Sequence, residues 1–72
     1  GARHRIEQAR AHHLAGQRDE ALRVLEAAHA AAPETVRYNG FARRMVLEEL
    51  ESRDPRRRDG AGGLAERIGL LT

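Results

Sequence analysis

The feature that most restricts the fold is a glycine-bearing turn between two alanine-rich amphipathic stretches. Over residues 3–15, Ile6, Ala9, His13 and Leu14 fall at helical spacing, and Glu7 is placed to pair with Arg3 or Arg10 on the wet side. Gly16-Gln17-Arg18 follows, with glycine suited to the left-handed position just past a helix end. Asp19 is expected to cap the second helix, with Glu20 in its first turn, where the helix dipole favours an acid. Ala21, Leu22, Leu25, Ala28 and Ala32 then form one apolar stripe before Pro33 ends the helix. So short a link between two helices makes them antiparallel, and residues 3–32 are expected to form a helical hairpin.

Beyond the hairpin, Glu34 to Tyr38 could open a third helix, but Asn39-Gly40 is a poor helix interior. The preferred reading makes Asn39 the cap of a helix over 40–53, with Val36 packed from the preceding loop. Phe41, Ala42, Met45, Val46 and Leu50 share a broad face of that helix, and Arg44–Glu48 and Glu49–Arg53 are expected as ion pairs on the other side. Residues 54–63 carry a proline and three glycines, with no apolar side chain larger than alanine, and read as a linker. Leu64, Ile68 and Leu71 mark one side of a short C-terminal helix over 64–72. The expected organisation is all-α: a helical module over 1–53, the Arg/Gly-rich linker and the terminal helix.

Composition narrows the class of function. The chain of 72 residues has no cysteine, which excludes a disulfide scaffold, a thiolate metal site and a thiol nucleophile. Ser52 is the only serine and there is no lysine, so no nucleophile with a matched acid and base is in sight, and an enzyme is not expected. No cofactor is called for either. All 13 basic residues are arginine, but 11 acids reduce the net charge to +2, so the basicity is mostly balanced pairs. No apolar run approaches the roughly 20 residues of a membrane span, and residues 1–15 lack the apolar centre of a signal peptide. A cytoplasmic location is expected. At this length one marginal domain fits, and its smallness reads as a cut or a need for partners.

The hairpin resembles a tetratricopeptide (TPR) repeat. Ala9, Gly16, Ala21, Leu25, Ala28 and Pro33 stand, without a gap, where that family places its small, glycine, alanine, bulky apolar, alanine and proline residues. Small residues there let two antiparallel helices approach closely. His12 replaces the family's aromatic, and Arg5 and Gln8 stand where tryptophan and leucine are usual. A broader resemblance runs through Gly-Gln-Arg-Asp-Glu-Ala-Leu (16–22), Ala-Ala-Pro-Glu-Thr-Val-Arg (31–37) and Leu-Ala-Glu-Arg-Ile-Gly-Leu (64–70). It is similar to the TPR-like C-terminal part of actinobacterial XRE-type helix-turn-helix regulators. That resemblance implies a protein–protein interaction or regulatory domain of a transcriptional regulator, with the DNA-binding domain itself elsewhere and no direct DNA contact from this chain. A protein or peptide partner is expected, as is self-association.

In TPR domains the first helix lines a concave ligand groove, and the resemblance carries that role to Arg3, Ile6, Arg10 and His13. Two arginines flanking an apolar residue would suit an acidic or C-terminal peptide through charge-assisted hydrogen bonds. The plainer reading of the same residues is a solvated helix face. The alternative function is a small basic nucleic-acid-binding protein using Arg56, Arg57 and Arg58, although Asp54 and Asp59 offset much of that charge and no stacking aromatics accompany it. His4, His12, His13 and His29 show no metal-ligand spacing, and His12 reads as a filler between helices.

Overall fold

The computed structural model describes residues 1–71 and is all-helical, with five helices: α1 (Ala2–Leu14), α2 (Arg18–Ala31), α3 (Pro33–Arg37), α4 (Gly40–Leu50) and α5 (Pro55–Arg67). Helix α1 packs mainly along α2, and α4 along α5. Helix α2 also touches α3 and α5, while the short α3 bridges α1, α2 and α4. No helix among the described residues is long and apolar enough to cross a membrane.

The hairpin turn is a left-handed glycine cap. Gly16 has a φ of 80°, its N–H donates to the His13 carbonyl at 3.1 Å, and the Gln17 N–H donates to the His12 carbonyl at 2.8 Å. That double closure satisfies carbonyls at the end of α1 and reverses the chain at once. The reversal brings Ile6 and Ala9 of α1 onto Ala21, Leu25 and Ala28 of α2, all buried. An alanine contact of this kind lets the helix backbones approach closely, and Leu25 fills the space that remains.

The structure departs from the sequence reading at several points. Helix α2 begins at Arg18 with Gln17 in the cap position, so Asp19 lies in the first turn and does not cap. The segment read as a loop after Pro33 is the helix α3, started by proline at its first position, and Val36 within it is fully buried. Asn39 does cap α4, its side-chain oxygen accepting the Ala42 N–H at 2.9 Å. Leu14, placed on the inner side by periodicity, is 75% exposed.

The largest correction concerns residues 54–63, which are not a linker. They form most of α5, continuous with the start of the expected terminal helix. Asp54 caps it by accepting the Arg56 N–H at 3.0 Å, and Pro55 occupies the first helical position, where its missing N–H costs nothing. Ala61, Leu64, Ala65 and Ile68 are all buried and recur at helical spacing, so this face completes the single core. Gly60 sits against α2, where a Cβ would meet Leu22 Cδ2 at 3.3 Å. The helix stops at Arg67, with Gly69 at φ 78° forming a second left-handed cap: the Leu70 N–H donates to the Ala65 carbonyl at 2.8 Å. The expected helix over 64–72 is thus the last turn of α5 and its cap, and its final residue, Thr72, lies outside the described residues.

Candidate interaction surface

Of the four residues carried over from the repeat family, the structure separates two from two. Ile6 is 2% exposed and belongs to the core, so it cannot line an open groove. His13 is mostly covered. Its ring meets Phe41 edge-on at 5.8 Å between centroids, its Nε2 lies 3.4 Å from Glu48 Oε1, and its Nδ1 is buried without a hydrogen-bond partner. Arg3 and Arg10 are exposed, and neither forms an ion pair among the described residues. The Arg10 guanidinium sits 5.7 Å from the Phe41 ring centre, within cation–π range. Arg3, Glu7, Arg10 and Leu14 follow one another at i, i+4, i+7 and i+11 and so form one stripe along α1, all exposed. Glu7 is not paired to either arginine, contrary to expectation.

The arginine run in α5 is mostly spent on the fold. Arg57 turns inward: its Nε donates to Glu49 Oε2 at 2.8 Å and its Nη2 to Ser52 Oγ at 2.9 Å. Arg18, from the start of α2, donates to the other oxygen of the same carboxylate at 3.1 Å. Glu49 is 1% exposed, the one charged residue in the core among the described residues, and this Arg18–Glu49–Arg57 bridge ties α2, α4 and α5 together. Arg58 donates to the Ser52 carbonyl at 3.0 Å. Arg56 alone of the three has no side-chain partner among the described residues. The expected pairs Arg44–Glu48 and Glu49–Arg53 do not form among the described residues, because Glu48 faces His13 and Arg18 while Glu49 is drawn into the core.

The sequence reading missed Glu49, although a signal was there. In the stripe Ala42, Met45, Val46, Glu49, the acid takes the i+7 position of an otherwise apolar face. An acid placed so is buried and requires cationic partners.

A shallow cleft of about 220 Å³ lies between α2 and the start of α5, lined by Asp19, Leu22, Arg23, Glu26, Asp54 and Arg56 among others. Its charges alternate in sign, and nearby Arg23 already engages Glu20. That hydrogen bond, reinforced by the guanidinium charge, holds the exposed Glu20 carboxyl below its ordinary pKa and raises that of Arg23. His12, read as an interhelical filler, instead folds over the hairpin turn, with Nδ1 2.6 Å from Gln17 Oε1. Among the described residues no three His, Asp or Glu side chains gather as metal ligands. Comparison of the chain with family models, with curated proteins and with solved structures gives no match.

Proposed function

We propose that this chain is a protein–protein interaction module whose α1 stripe holds an acidic segment of a partner, serving as the regulatory tail of an XRE-type transcriptional regulator. The observation that carries the interaction reading is the pair of exposed arginines on α1, Arg3 and Arg10, neither in an ion pair among the described residues. They stand seven positions apart, so their stems are about 10 Å apart along one face. Arg10 is oriented by the ring of Phe41 beneath it, which limits the freedom lost on binding. Glu7 lies between them and disfavours a carboxylate at the centre of the stripe. The fitting ligand therefore carries one carboxylate at each end and an apolar side chain for Leu14. The regulatory assignment rests on the resemblance over residues 16–22, 31–37 and 64–70.

Fluorescence anisotropy with labelled peptides tests the reading. A peptide with two acids about 10 Å apart is expected to bind, and R10E to weaken it at least about tenfold, the scale of one lost charge-assisted contact. Binding that ignores R3E, R10E and added salt would overturn it. The nucleic-acid alternative is left with little free charge, since Arg57 and Arg58 are engaged within the fold. Retention of duplex DNA that is lost in R56A would revive it.

A further inference from the structure

We infer that the outward face of α4 pairs with the same face of a second copy of this chain, antiparallel, about a two-fold axis passing between Leu47 and Glu48. The inference is independent of the α1 reading and uses different residues.

Gly40, Arg44, Leu47, Glu48 and Glu51 are all exposed and recur at the spacing of a single helix face. Leu47 stands near the middle, 48% exposed. Arg44, towards the start of the helix, and Glu51, at its C-cap, form no ion pair among the described residues. The rest of α4 is occupied: Ala42, Met45, Val46 and Glu49 are buried.

The order of charge along this face runs against the helix dipole. The first turn of α4 holds no acid and the last turn no base. Arg44 lies near the positive end instead, and Glu48 and Glu51 near the negative end. Within one copy that arrangement is unfavourable. An antiparallel second helix reverses it, setting Arg44 of each copy opposite Glu51 of the other and aligning the two dipoles head to tail. The axis also brings together the two Leu47 side chains on one side and the two Glu48 carboxylates on the other, each Glu48 already facing His13 and Arg18 of its own copy. One exposed apolar residue flanked by one unpaired charge of each sign is self-complementary, as an isologous contact requires. An acidic partner would satisfy Arg44 and repel Glu51, whereas a second copy satisfies both.

The eleven residues of α4 span about 16 Å, so the contact falls well short of the roughly 800 Å² per partner of a standard interface. The association is therefore weak and concentration-dependent, and salt weakens it further.

Sedimentation velocity on the full chain, from about 10 µM to about 1 mM at low ionic strength, reads it directly. The sedimentation coefficient is expected to rise with concentration and to fall back on adding salt. R44E and E51R are each expected to weaken dimerisation at least tenfold, and the double variant R44E/E51R to restore it. Neither side chain forms an ion pair among the described residues, so circular dichroism should be unchanged in all three variants, and peptide binding to α1 should persist. Salt dependence of the unsubstituted chain supports the charge pairing without any variant. A monomer at every concentration, association indifferent to the single reversals, or failure of the double variant to recover would each overturn the proposal.

Discussion

The two long-helix pairs of this molecule are held by different means. In α1–α2 a single left-handed glycine closes the turn, and uncharged residues make the seam: Ile6, Ala9, Ala21, Leu25 and Ala28. In α4–α5 the seam contains a buried carboxylate, and the second helix carries Gly60, Gly62 and Gly63 in its interior. The hairpin is locally consistent: propensity, turn and pattern agree. Helix α5 is locally inconsistent, since each interior glycine costs about 1 kcal/mol relative to alanine. It is helical because Asp54 and Pro55 start it, Arg57 is drawn to Glu49, and Leu64, Ala65 and Ile68 complete the core. A helix can thus be imposed by its neighbours where its own residues argue against it.

Glu49→Ala breaks the α4–α5 side most deeply. It leaves Arg57 and Arg18 without their shared counter-ion, and about 3 kcal/mol of stability should be lost in urea unfolding. Amide exchange should accelerate in α5 before α1, and a loss under 1 kcal/mol would show that the bridge is dispensable. The two glycine caps give the next contrast. Gly69→Ala forces a side chain into a left-handed φ with its Cβ only 2.7 Å from Arg37 Nη2, whereas Gly16→Ala meets nothing within 4 Å. Both positions hold a left-handed φ, so about 1 kcal/mol is expected at each and only slightly more at Gly69, where the exposed Arg37 guanidinium can swing aside. A loss at Gly69 several times that at Gly16 would show that Arg37 is fixed there.

A gain is expected from Gly62→Ala and Gly63→Ala. Both glycines are helical with room for a Cβ, so each substitution should stabilise by up to about 1 kcal/mol, read as a raised melting temperature. Gly60→Ala should gain less, because its Cβ would press on Leu22. If all three behaved alike, the close approach of α5 to α2 would be in doubt.

The smallest effect is on the hairpin side. The folded pKa of Glu20 lies below its unfolded value, so its contribution is present above that unfolded value and fades as pH falls through the folded one. Glu20→Gln should remove that shallow acid-side slope and leave neutral-pH unfolding of α5 unchanged.

Much of this architecture was legible. The hairpin, the Asn39 cap and the apolar faces of α2 and α4 follow from spacing alone, because local periodicity and capping chemistry reside in neighbouring residues. The start of α5 was legible too, in the dipeptide Asp54-Pro55, but the glycines that follow it weighed the reading towards a linker. For the interaction surface, Arg3 and Arg10 stand exposed, while Ile6 on the same helix turned inward. Periodicity alone could not say which edge of the α1 stripe meets α3 and α4.

The sequence by itself determined the helical class, the hairpin and the positions of its turns, since these depend on contacts a few residues apart. Tertiary structure decided the rest. It recruited Arg57 from a nominal charge run into the core and turned the Pro/Gly-rich segment into a helix. It also left Arg10, Arg44 and Glu51 without ion-pair partners among the described residues. The physical reason is common to all three: burying Glu49 requires cations from distant parts of the chain, and which charges then remain free is known only once those helices have packed.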